Sequence, residues 1–265
     1  MYNNLYKVYH RRYGSSSAIS NRKSYAMVKE EPHHFKRLYN CEIVIIIVEH
    51  LYNRGEGMDI LWYIFDMVGT IAFAVSGALV GVSRKMDIFG IAVLALATAI
   101  GGGIVRDVLL GYLPPNSLRH IVYIAVVLVV VAIVFVAYSS RYHHHVMGPR
   151  SRAVYLLADA LGLASFTVTG AAVGYAMHPS LPIFIVLLGT ITAVGGGIIR
   201  DLLARLIPSV LREDVYALPS IIGGIVYYVL VIHDVAVGAN YVAFTVVLII
   251  RLLAITYNWS LPKVR

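Results

Sequence analysis

An all-α fold crossing a membrane seven times is what this sequence predicts, on three observations: a shortage of charge, a succession of long apolar runs, and an internal repeat. Of the 265 residues, 59% are hydrophobic and only 14% charged, whereas a soluble domain carries about 25% charged residues. Mean hydropathy is +0.75, so most of the chain does not face water. The apolar runs lack period-two alternation, and an open sheet in lipid would leave its edge N–H and C=O groups unpaired, so the spans are helices. The net charge of +8 does not point to nucleic acid. The basic residues lie mainly in the first 57 positions and between apolar runs, a pattern that sets membrane orientation. The single cysteine, Cys41, excludes an intramolecular disulfide framework and a multi-cysteine metal site.

The first element is a basic extension over residues 1–57. It is rich in Tyr, Arg, Lys, Ser and His, and its one apolar run, Ile43 to Val48, is too short to span. It lacks the longer apolar region and cleavage site of a signal peptide. It reads as a disordered or interfacial segment, or as an over-called start with Met58 as the initiator. Peptide mapping of the mature amino terminus should then return nothing between Asn3 and Arg37, and peptides from that stretch would overturn the Met58 assignment. Seven runs long enough for a hydrocarbon core of about 30 Å follow: Ile60 to Gly81, Ile88 to Gly111, Leu118 to Tyr138, Ala153 to Met177, Pro182 to Ile207, Tyr216 to Ile232 and Ala239 to Tyr257. Between them stand Ser83-Arg84-Lys85, Pro114-Pro115-Asn116, Gly148-Pro149, His178-Pro179, Pro208 and His233-Asp234.

Loop charge sets the orientation. Arg84, Lys85, Arg141, Arg150, Arg152, Arg205, Arg212, Lys263 and Arg265 fall on one side, and on the other Arg119 with almost nothing else. The expectation is a multi-pass plasma-membrane protein with its carboxyl terminus in the cytoplasm and the amino end of its core outside. The extension, with nine Lys and Arg against five Glu, runs against this orientation. That conflict favours a chain that starts after it.

Laid on itself at an offset of about 93 residues, the chain repeats. Asp66-Met-Val-Gly69 aligns with Asp159-Ala-Leu-Gly162, and Ser76-Gly77 with Thr169-Gly170. Each of those glycines opens a Gly-x-x-x-Gly, closing at Gly81 and Gly174, a pattern of close helix packing. Gly101-Gly102-Gly103-Ile-Val-Arg106-Asp107 aligns with Gly195-Gly196-Gly197-Ile-Ile-Arg200-Asp201. Spans one to three match four to six, and three is odd, so the second copy is inverted in the membrane. The units are residues 58–147, 148–236, and a seventh helix with its tail over 237–265. Inverted repeats bring equivalent interrupted helices together near the midplane. Three successive glycines cost a helix roughly 1 kcal/mol each, so spans two and five are expected to kink or break there. Irregular backbone at that depth belongs where it lines a cavity.

Seven ionisable residues fall within spans away from their ends: Asp66, Arg106, Asp107, Asp159, Arg200, Asp201 and Arg251. Each would cost roughly 2.5–3.5 kcal/mol at a helix centre, so they should pair or meet water. Neighbouring Arg106 and Asp107 point about 100° apart on a helix. Their partners are therefore expected on other helices, across the repeats, with Asp66 and Asp159 as candidates for the arginines. Two readings stand: a charge network that locks helices together, or a border to an aqueous pore. Ser76 and Thr169 are either bonded back to their own helix or pore-lining. The triple glycine follows an apolar helix and is not a dinucleotide fingerprint. His143-His144-His145 reads as a solvated loop rather than a metal site. No Ser-His-Asp, paired-Glu or His-Glu-x-x-His arrangement is present, and neither an enzyme nor a cofactor is expected.

The doubled Gly-Gly-Gly-x-x-Arg-Asp, with Asp-x-x-Gly and Ser/Thr-Gly before it in each half, closely resembles the prokaryotic branch of the trimeric intracellular cation (TRIC) channels. The same domain is widely labelled a glycine transporter domain. The resemblance covers Asp59 to about Tyr257. It implies a seven-helix protomer, a homotrimer with one pore per subunit, and K⁺ and Na⁺ as permeant ions. It also implies that the glycine-broken second and fifth helices line that pore. On the matched motif it assigns Gly101, Gly102, Gly103, Arg106, Asp107, Gly195, Gly196, Gly197, Arg200 and Asp201 to the pathway. The basic phosphoinositide motif of the eukaryotic branch has no counterpart here. Two functions stay open, a cation channel and a transporter of glycine or another small neutral amino acid, because both use a broken helix beside charge.

Overall fold

The computed structural model describes residues 60–139, 148–212, 215–233, 235–257 and 259. The extension, Cys41, the histidine triplet, Arg141, Lys263 and Arg265 lie outside them. Every helix and strand assignment among the described residues is helical: α1 (Ile60–Ser83), α2 (Ile88–Leu109), the short α3 (Asn116–Arg119), α4 (Ile121–Ser139), α5 (Pro149–Met177), α6 (Pro182–Leu203), the short α7 (Ser209–Arg212), α8 (Leu218–Ile232) and α9 (Ala236–Thr256). Six are long and apolar enough to cross a membrane. The seventh, α8, has 15 residues, about 22 Å of helix against a core of about 30 Å.

Local chemistry fixes the ends. Pro149 and Pro182 stand in the first turns of α5 and α6, where a missing N–H costs nothing and φ is already helical. Gly148-Pro149 therefore starts a helix rather than merely separating two. Asp87 caps α2 by accepting from the Gly90 N–H at 2.7 Å, the usual service of an Asp in that position. Both α2 and α6 close with the same pair of bonds. Tyr112 N–H donates to the Asp107 carbonyl and Gly111 N–H to that of Val108; in α6 the donors are Leu206 and Arg205, the acceptors Asp201 and Leu202. This closure needs a left-handed residue. Gly111 supplies it at φ 71°, but its equivalent is Arg205 at φ 54°. That conformation costs a side-chain-bearing residue roughly 1–2 kcal/mol. Arg205→Gly should accordingly stabilise the protein by up to about 1 kcal/mol, read as a raised Tm in detergent.

Helices α1, α2 and α4 pack together, and so do α5, α6 and α8; across the repeats α1 lies on α5 and α2 on α6. Outside the repeat, α9 packs on α8 and α5 and reaches α1 where Tyr241 and Phe244 meet the Phe65 ring at 5.8 and 5.3 Å. The outward faces are apolar: Phe89 is 75% exposed, Val136 72% and Ile183 76%. Such surface belongs in lipid.

The expected helix breaks are not present. Gly101 to Gly103 and Gly195 to Gly197 continue α2 and α6 without interruption. The glycines serve contact instead. A Cβ on Gly102 would meet the Thr192 carbonyl oxygen, and one on Gly196 the Thr98 carbonyl oxygen, each at a separation real Cβ atoms do not reach. The two helices thus cross with backbone against backbone, and this packing offsets the propensity cost. The Gly-x-x-x-Gly residues work within each repeat. Cβ atoms on Gly77 and Gly81 would press on Ala95 and Ile91 of α2, and on Gly170 and Gly174 on Leu188 and Ile185 of α6.

Candidate functional site

Six of the seven span charges are buried in two clusters at repeat-related positions, one per repeat. In the second, Arg200 is completely buried. Its Nη1 donates to Asp159 Oδ1 at 2.7 Å and to the Ser76 hydroxyl, and its Nε donates to Asp201 Oδ1 at 2.9 Å. The Tyr216 hydroxyl donates to Asp159 at 3.2 Å, and the guanidinium lies over the Tyr155 ring at 5.1 Å. The seventh span charge, Arg251 of α9, joins this cluster. Its Nη2 stands 3.7 Å from Asp159 Oδ2, its Nη1 donates to the Val215 carbonyl at 3.1 Å, and it stacks over Tyr216 at 4.5 Å.

The first repeat reproduces part of this. Arg106 Nε donates to Asp107 Oδ1 at 2.8 Å, and the guanidinium lies 5.6 Å from the Trp62 ring centroid. The Tyr123 hydroxyl donates to Asp66 Oδ2 at 2.6 Å. Asp66 and Arg106 do not close into a direct ion pair, whereas Asp159 and Arg200 do. Between them lies a cavity of about 10 Å³ lined by Asp66, Thr70, Gly103, Arg106, Ser117 and Tyr123, among others. That is room for a single water. Arg106 Nη1 and the Ser117 hydroxyl are buried there without a partner.

Two expectations about pairing need correction. Neighbouring Arg and Asp do meet, Nε to Oδ1, in both repeats, because the arginine side chain is long and flexible enough to turn toward the next carboxylate. And the ion pair of Arg200 lies within its own repeat, α6 to α5; what crosses between repeats is its bond to Ser76. The second oxygens of the motif aspartates have a distinct task. Asp107 Oδ2 accepts from the Asn116 N–H and Asp201 Oδ2 from the Ser209 N–H, both at 2.7 Å, so each carboxylate ties its arginine to the first residue of a short helix. Thr169 bonds back to the Phe166 carbonyl at 3.5 Å and also hydrogen-bonds the Asp66 side chain of the other repeat, as Ser76 reaches Arg200.

Sequence reasoning passed over the aromatic residues of the site. Trp62 and Tyr155, Tyr123 and Tyr216, and Phe73 and Phe166 are related by the same 93-residue offset, which was the signal available. The Phe73 and Phe166 rings meet edge to face at 5.2 Å. Phe166 occupies the space a Cβ on Gly69 would need, and Phe73 the space at Gly162. Each repeat's Asp-x-x-Gly glycine therefore receives the other repeat's phenylalanine.

The profile of the glycine transporter family matches residues 63–139 and again residues 156–232. The UPF0126 inner membrane protein YadS of Escherichia coli K12 is 38% identical over 76% of this chain and 95% of its own. A UPF0126 membrane protein of Vibrio cholerae is 41% identical over 76% of this chain and 82% of its own. Among solved structures, a prokaryotic TRIC channel in 0.5 M KCl superposes with a TM-score of 0.69 at 33% identity, covering 77% of this chain and 100% of the other. A structure described as explaining conductance through TRIC cation channels gives 0.67 at 37% identity, over 76% and 96%. The TRIC trimeric intracellular cation channel orthologue from Rhodobacter sphaeroides gives 0.68 at 28% identity, over 76% and 100%.

Proposed function

This chain belongs to the glycine transporter family and is a multi-pass membrane protein with the fold of the TRIC cation channels, and from that membership we propose that it conducts K⁺ and Na⁺ through a path inside each protomer bordered by α2 and α6. The observation that carries this reading is the polar cavity at Asp66 and Arg106, set among apolar spans. Polar groups are placed at that depth at a cost, and water-lined pathways are where they recur. Because α2 and α6 are unbroken, their carbonyls remain engaged in the helix. Hydroxyl and carboxylate side chains then have to replace the ion's hydration.

In this reading Arg106 and Arg200 face the path from either repeat, and Asp107 and Asp201 hold them in place. The triple glycines, Gly101 to Gly103 and Gly195 to Gly197, bring the two helices close enough to share it. Ser76 and Thr169 supply hydroxyls at matching positions. The protomer assembles as a homotrimer in the plasma membrane, surrounded by lipid, with its core amino terminus outside and its carboxyl terminus in the cytoplasm.

The family's name, glycine transporter, favours a second reading, transport of glycine or a similar amino acid. That mechanism uses half-helix amino termini to hold a carboxylate, and continuous α2 and α6 present none at the glycines. Planar-bilayer recording of the purified protein decides between them. Stepwise unitary K⁺ currents are expected; silence in the bilayer together with saturable glycine uptake into proteoliposomes would sink the channel. A companion measurement concerns Tyr123. Removing its hydroxyl in Tyr123→Phe should cost about 1.5–3 kcal/mol, the worth of a hydrogen bond to a charged group, seen as a lowered Tm.

A further inference from the structure

The two short helices occupy matching places but are held differently. Pro115, Asn116, Leu118, Arg119 and Tyr123 recur 93 residues on as Pro208, Ser209, Leu211, Arg212 and Tyr216, so α3 and α7 are repeat-related caps at opposite faces of the membrane. Beyond α7, Arg251 of α9 donates to the Val215 carbonyl and pins the segment that leads into α8. Val215 is 6% exposed, whereas its equivalent beyond α3, Val122, is 45% exposed. Ser209 is buried where Asn116 is half-buried.

Only one hydrogen bond among the described residues fastens α3 to a span, from the Asn116 N–H to Asp107 Oδ2. Arg119 turns back on its own segment, its Nε donating to the Pro114 carbonyl at 2.8 Å and its Nη2 to that of Leu113 at 3.1 Å. Residues 113–119 are thereby bound into a unit. Gly111 precedes it at φ 71°, in open space, and His120 follows it with extended backbone. Of the residues lining the cavity at Asp66 and Arg106, Asn116 and Ser117 alone lie outside the long spans. The Ser117 hydroxyl is buried there without a partner.

We propose that α3 is a lid: residues 113–119 swing about Gly111 and His120 and open the Asp66–Arg106 cavity to water at that face, while α7 stays fixed at the other. The Asp107–Asn116 hydrogen bond is the latch. Because the same carboxylate holds Arg106, releasing the latch also frees Asp107 and its arginine to turn. The inference rests on the channel reading only for what the open cavity passes.

The latch donor is a backbone N–H, so proline removes it selectively. Position 116 opens a helix, where the fixed φ of proline fits and the N–H has no intrahelical acceptor. Pro115 before it stands at ψ 145°, as a residue preceding proline should. In a Cys41→Ser background, the purified full chain carrying Ser117→Cys is treated with a charged methanethiosulfonate. Asn116→Pro should speed labelling at least about tenfold, the worth of a hydrogen bond to a charged group. Its counterpart, Ser209→Pro, should leave the labelling of Val210→Cys unchanged. An unaltered rate at Ser117→Cys, or equal acceleration at both caps, overturns the lid. Should Asn116→Pro not fold, Ser117→Cys alone decides. It is expected to label to completion while Ser165→Cys, wholly buried in α5, does not, and a Ser117→Cys protein that resists the reagent overturns the proposal. Bilayer recording keeps the two readings apart. A raised open probability is expected in Asn116→Pro. Currents with unaltered labelling would retire the lid and leave the channel, and accelerated labelling without currents would do the reverse.

Discussion

Arg200→Met should lower the unfolding free energy by about 3–5 kcal/mol, the cost of removing one partner from a buried ion pair. The side chain is wholly buried and holds Asp159, Asp201 and Ser76 together. Methionine fills much of the volume, so the loss reports charge and hydrogen bonding rather than a void. Arg106→Met should cost distinctly less. Its guanidinium bonds to Asp107, borders a cavity and makes no direct ion pair with Asp66. Arg200→Lys keeps the charge but loses the planar fork that reaches two carboxylates and a hydroxyl, and should recover only part of the loss. Denaturant or thermal unfolding in detergent gives the comparison; equal losses at Arg106 and Arg200 would contradict the inequality of the two clusters.

The triple glycines should respond position by position. Gly102→Ala and Gly196→Ala each drive a methyl group into a backbone carbonyl of the opposing helix, which cannot rotate away. Overpacking of this kind costs about 1–3 kcal/mol and occasionally more. At Gly103 a Cβ would meet nothing nearer than the Arg106 guanidinium at 3.8 Å. Gly103→Ala should gain up to about 1 kcal/mol in helix propensity. In the second motif a Cβ on Gly197 would press on the Tyr216 hydroxyl at 2.7 Å, and no gain is expected there. Over Gly101 to Gly103, by contrast, a melting series predicts opposite signs within one run of identical residues. A uniform response would mean that conformational freedom, not contact, is what the glycines provide.

Much of this was legible in the sequence, and the gaps have physical causes. The spans, the inverted repeat and the buried positions of Asp66, Asp159 and the two Arg-Asp pairs followed from hydropathy and the offset. The continuity of α2 and α6 did not, because propensity counts only what a glycine costs its own helix. Gly102 and Gly196 are compensated by a second helix that no local pattern reveals. Partner choice was also hidden. Whether Arg200 bonds to Asp159, Asp201 or both depends on how a long side chain bends in the last turn, and spacing along the chain does not determine that. Arg251 was visible as a charge in a span, but α9 has no repeat mate from which its partner could be read. The aromatic pairs were within reach, since Trp62, Tyr123 and Phe73 each fall on an aromatic residue at the same offset.

The crossing of α2 and α6 also bears on how the protomer can move. Carriers built from inverted repeats work largely by rocking one repeat against the other around a fixed site. Here the repeats interlock at four points: the Thr98 carbonyl on Gly196, the Thr192 carbonyl on Gly102, Phe166 on Gly69 and Phe73 on Gly162. Any rotation of one unit against the other must break close contacts on both sides of the axis at once. An interface meshed in this way transmits force but makes a poor pivot. Motion is left to the side chains and the short segment bordering the cavity, which move on a shorter timescale than whole repeats.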